Sequence, residues 1–137
     1  MKITAVRLIA YTGEMTFPGV FWEERLVRPL DLYPEHRDDA PAWLEPIPGG
    51  SYRMASTFLR IETDEGVHGI GGPLPDDQAY IIATQMHSLL IGSDPIAIEL
   101  LWDKIYRSQV HGRKGAAMMA LSVVDCALWD LKGRWQI

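Results

Sequence analysis

The most regular apolar pattern in this chain runs through residues 111–135, HGRKGAAMMALSVVDCALWDLKGRW. Ala117, Leu121, Val124, Leu128 and Leu131 recur at i, i+4, i+7, i+11 and i+14, which is one face of an α-helix. Ala116, Met119, Ala120, Val123, Cys126 and Ala127 make further faces apolar, leaving Ser122, Asp125, Trp129 and Lys132 as a polar-to-mixed stripe. A helix this apolar requires cover on more than one side.

Two more helical stretches precede it. In PLPDDQAYIIATQMHSLLIG, Asp76 is placed as the N-cap and Asp77 in the first turn; Ile82, Met86, Leu89 and Leu90 share a face and Gly92 closes the helix. In SDPIAIELLWDKIYR, Asp94 caps and Pro95 takes the first helical position, ahead of a stripe of Ile98, Leu101, Trp102 and Ile105. Upstream the period changes to two. Residues 2–11 and 53–63 alternate as strands, Thr63-Asp64-Glu65-Gly66 is a hairpin turn, and VHGIG is the returning strand. The pattern predicts an α+β domain: a three-stranded antiparallel sheet followed by three helices.

Residues 12–52 fit neither period. They hold six of the nine prolines, with dense aromatics, a turn signal at Ile47–Gly50 and a short candidate strand near Glu24–Val27. A loop this long is unusual unless it is functional or disordered, and disordered linkers are poor in aromatics. A loop that docks on something and a loop that packs on its own domain are both compatible with the pattern.

Composition narrows the class. At 137 residues the chain has the length of one domain, and its formal net charge of -5 argues against nucleic acid as partner. No stretch has the run of apolar residues that a membrane span needs. The single cysteine, Cys126, allows no internal disulfide, and its place in the apolar helix predicts a buried, unreactive thiol. A cytoplasmic location is expected.

Familiar catalytic constellations are missing. GIGG at 69–72 runs into Pro73 where a nucleotide fingerprint would open a helix, and the four histidines are scattered. Asp125, among apolar neighbours, is expected to meet a basic residue or a backbone amide. Arg107, His111, Arg113 and Lys114 cluster at a helix start, where an anion site is one reading and ordinary salt bridges are another.

These residues resemble a known family. Ser122-x-x-Asp125, then Ala127-Leu128-Trp129-Asp130 and Lys132-Gly133, is similar to the helix that ends the N-terminal capping domain in the mandelate racemase/muconate-lactonizing branch of the enolase superfamily. TFLRIETDEGVHGIG resembles the family's hairpin, LLIGSDPIAIELLWDKIYR its Gly-x-Asp-Pro helix, and MKITAVRLIAY its opening strand. Gly72 stands where relatives often have Glu. The resemblance implies a (β/α)8 barrel, absent from this chain, that binds Mg2+ through three acidic residues. It also implies abstraction of the proton α to a carboxylate by a lysine or histidine of that barrel. The whole chain, 1–137, is then a capping domain ending at the junction to the barrel, with the last helix between cap and barrel. No catalytic or metal-binding residue is expected in it, and the 137-residue chain alone is expected to be inactive. The long loop is most like that of acid-sugar dehydratases; a racemase, epimerase or cycloisomerase, and an inert stand-alone interaction domain, are the alternatives. Phe21, Trp22, Tyr52 and Arg53 are the substrate-lid candidates that the resemblance implies. The partners it implies are a carboxylate-bearing small molecule (an acid sugar or hydroxy acid), the chain's own barrel, and further copies in a homo-oligomer, with no nucleic acid and no membrane.

Overall fold

A computed structural model describes residues 1–18, 27–37 and 44–136. The strands are β1 (Ile3–Thr16), β2 (Glu45–Ile47), β3 (Ser51–Thr63) and β4 (His68–Leu74). The helices are α1 (Asp76–Ile81), continued through a π-helical turn (Ile82–Met86) into α2 (His87–Leu90), then α3 (Ile98–Ser108) and α4 (Ala116–Trp135). The chain is α+β, an antiparallel sheet followed by three helical runs, as the periodicity predicts. The sheet order is β1-β3-β2 with β4 also on β3. The fourth strand, β2, was not foreseen: at three residues it is too short for alternation to be read. Among the described residues no helix is long and apolar enough to cross a membrane.

The chain divides into two compact units, residues 1–11 with 56–137, and residues 12–55. The first holds the core. Leu59 and Ile61 of β3 and Ile3 of β1 pack with Ile82, Met86 and Leu90, with Ile98, Leu101 and Ile105 of α3, and with Leu121, Val124, Leu128 and Leu131 of α4. The helical residues among them are ones that the 3.6-residue period places inward, whereas Leu59 is not singled out by the alternation of its strand. The β3–β4 turn closes as expected: Gly66 has φ +79°, and the Thr63 N–H and hydroxyl both donate to the Val67 carbonyl, at 3.1 and 2.8 Å. Backbone bonds between Ile3 and the turn at Gly92 and Ser93, both 2.9 Å, fasten the start of β1 beside the end of α2.

Two predicted caps shift. Pro75 occupies the N-cap of α1, so Asp76 and Asp77 both lie in the first turn, where their charge faces the positive end of the helix dipole. Asp94 does not cap α3. Its Oδ1 accepts the Ile96 N–H at 3.0 Å, making a turn that carries the buried Pro95, and the helix begins only at Ile98.

The glycines of β4 set how closely α4 can approach. A Cβ on Gly69 would run into the Ala127 carbonyl and lie 2.6 Å from Leu131 Cβ. One on Gly71 would strike the Val123 carbonyl and lie 3.2 Å from Ala127 Cβ. The strand is bare on this face so that the helix backbone can rest on it. Asp130 Oδ2 then accepts the Ile70 N–H at 2.8 Å, satisfying a donor of β4, and pairs with Arg134 Nε at 2.9 Å.

Candidate functional site

The predicted lid residues fall in the second unit. Phe21, Trp22 and the greater part of the candidate strand at 24–27 lie outside the described residues. Tyr52 and Arg53 open β3, where they pair in antiparallel register with Pro46 and Glu45 of β2. The connection between these strands is a tight turn with Gly49 at φ +98° and Gly50 at +78°, backbone that only glycine adopts freely. The stretch before β3 is therefore a short hairpin. Across it Arg53 Nη1 sits 3.2 Å from Glu45 Oε2, with the two side chains 53% and 62% exposed. Such an exposed pair is weak and exchangeable. Glu45 was not singled out from the sequence. Its signal was the turn at Ile47–Gly50, since a turn there sets 45 opposite 53. Thr16 and Ser51 share a hydroxyl–hydroxyl hydrogen bond of 3.1 Å.

The rest of the long loop carries its own order. Two 3-10 turns, Pro29–Leu32 and Pro34–His36, are tied by polar contacts. Asp31 accepts the Arg28 N–H at 2.9 Å, Arg28 Nη2 donates to the His36 carbonyl at 2.9 Å, and Arg37 Nε to the Asp31 carbonyl at 3.2 Å. No described hydrophobic residue of 12–55 is fully buried, and Val27, Leu30, Leu32, Tyr33 and Met54 are exposed. Among the described residues this unit is tied by turns and hydrogen bonds, and several of its apolar side chains face outward.

A second surface lies on α4. Met119, Ser122, Cys126 and Trp129 form an exposed stripe opposite the residues that meet the core. The exposure of Cys126 corrects the expected buried thiol. One turn on from Ser122, it shares that residue's outward direction, whereas Ala127 and Leu128 take the inward ones. Asp125 flanks the stripe beside Trp102, Ile105, Leu121, Val124 and Leu128. Partial burial among these apolar side chains raises its carboxyl above the usual range. The basic or amide partner expected for it is absent among the described residues. The helix flank leaves it partly in water, which lowers the need for one. Nearby, a cleft of about 300 Å3 is lined by Ile96, Leu100, Trp129 and Lys132, with Lys132 Nζ 4.8 Å from the Trp129 ring.

Two members of the basic cluster make ordinary contacts. Arg107 pairs with Asp103 at 2.8 Å, and that carboxylate raises the guanidinium above its usual value. Arg113 lies over the Tyr106 ring at 5.1 Å. Among the described residues no three His, Cys, Asp or Glu side chains converge to hold a metal ion. The described residues do not fit a Mg2+ site.

Comparison with known proteins agrees with this architecture. The family described as "Mandelate racemase / muconate lactonizing enzyme, N-terminal domain" matches residues 49–136. D-galactonate dehydratase of Variovorax paradoxus is 40% identical over 89 residues, covering 61% of this chain and 23% of that protein. A mandelate racemase/muconate lactonizing protein from Paracoccus denitrificans, solved with magnesium, is 31% identical with a TM-score of 0.55, covering 60% of this chain and 23% of that one. A racemase from Streptomyces coelicolor with bound magnesium is 26% identical with a TM-score of 0.60, covering 96% and 32%. The chain thus spans about a quarter of the length of the curated relatives it matches. The glycine-bared strand, the helix laid on it and the Ala-Leu-Trp-Asp that fastens the two lie within the matched span, and the chain belongs to the mandelate racemase/muconate lactonizing enzyme family, as its N-terminal domain.

Proposed function

We propose that this chain is the capping domain of a Mg2+-dependent acid-sugar dehydratase, supplying a substrate lid from residues 12–55 and a docking face from α4 to a (β/α)8 barrel that carries the catalytic groups. The observation that carries the reading is the 40% identity to D-galactonate dehydratase over 89 residues. Two features of the structure support the division of labour. The described part of the long loop holds polar order and leaves several apolar side chains outward, as a segment does when something else is to cover it. The exposed stripe of α4 gives that apolar helix the second covered side its sequence calls for.

The contribution of this chain to the reaction is positioning. Arg53, which among the described residues makes an exposed pair with Glu45, can exchange that carboxylate for one on a substrate. Tyr52, with Phe21 and Trp22, would close the site against water. The reaction is loss of the proton α to the carboxylate followed by departure of the β-hydroxyl as water. A racemase is the second reading, favoured by the Streptomyces racemase that matches over nearly the whole chain.

The test is a domain exchange. This chain replaces the N-terminal domain of the Variovorax D-galactonate dehydratase, and the chimera is assayed with Mg2+ on D-galactonate and a panel of other acid sugars. Dehydration with an altered substrate preference is expected, and Arg53→Ala in the chimera should raise KM by about tenfold, the scale of one charge-assisted hydrogen bond. Activity when this chain instead replaces the N-terminal domain of the Streptomyces racemase, with none in the dehydratase chimera, would favour the second reading. Two soluble chimeras, each inert on every substrate, would overturn both readings, as would chelator-sensitive turnover by the 137-residue chain alone.

A further inference from the structure

We draw no further inference here: the strongest candidate, the exposed flank of α4 formed by Met119, Cys126 and Trp129 beside the unpaired Asp125, belongs to the barrel-facing surface already described, and nothing in the structure shows another occupant for it.

Discussion

Asp125 sits in surroundings that favour the neutral form of its carboxyl. Burial against Trp102, Ile105 and Leu128 raises its carboxyl pKa, and no described cation offsets the effect. An acid whose folded pKa lies above its unfolded value binds its proton more tightly in the folded state. The stability it contributes is complete below the ordinary aspartate value of about 3.9 and is lost as pH rises through the folded pKa. Asp125→Asn is therefore expected to stabilise the chain at pH 7 by about 0.5 kcal/mol, a small figure because the group remains partly in water. Urea melts should show that gain shrinking to nothing near pH 3, and a gain independent of pH would sink the explanation. Arg53 is the opposite case. Its exposed pair with Glu45 contributes between about 0 and 1 kcal/mol, so Arg53→Ala should leave the urea midpoint of the isolated chain almost unmoved. A large loss would mean that the arginine serves the hairpin, and its assignment to the lid would fall.

The contact of α4 with β4 is the element-scale feature on which the domain depends. Gly69→Ala and Gly71→Ala each push a methyl into helix backbone, which cannot yield as a flexible side chain would. Each is expected to cost at least about 3 kcal/mol, the upper range for overpacking. Asp130→Ala removes the acceptor of the Ile70 N–H and should cost about 1–2 kcal/mol. Gly133 supplies the internal control: it lies within α4, and a Cβ there meets nothing within 4 Å. Gly133→Ala should stabilise by about 0.5–1 kcal/mol through helix propensity alone, and chemical denaturation of the four variants would separate packing from propensity. The elements were legible in the sequence because period 2 and period 3.6 each leave a long record. Ile82, Met86, Ile98, Leu101 and Leu128 could be placed inward from spacing alone. The contact between the elements was not legible in that way. Gly69 and Gly71 looked like an incomplete nucleotide fingerprint, since the chain spacing of a glycine does not say which backbone will approach it. Cys126 was misplaced because hydrophobicity records what a residue tolerates, and on a helix apolar almost all round it cannot choose between the core and an outer face. Pro95 and Asp94 were read one turn too early, for the Asx turn they form carries the same residues as a helix start.

At the scale of the whole molecule, two groups of exposed apolar side chains among the described residues bear on docking, and they can be told apart. One is the stripe on α4, where Met119 is 55% and Trp129 52% exposed. The other is the long loop, with Val27, Leu32 and Tyr33 outward. Contiguous exposed apolar surface mixed with few charges binds hydrophobic dyes and marks an interaction face. The purified 137-residue chain is expected to enhance the fluorescence of such a dye while folded. The double substitution Met119→Glu with Trp129→Glu should abolish most of that signal, because it places two charges on the helix face proposed to meet the barrel. Both side chains already stand in water, so the thermal midpoint should move by no more than about 2–4 °C. If the dye signal survives unchanged, the sticky surface is the loop, and the matching substitutions Leu32→Glu and Tyr33→Glu should remove it. If neither pair has an effect, α4 does not present the open face that the capping reading requires, and the docking of a barrel against it would have to be given up even where the family membership stands.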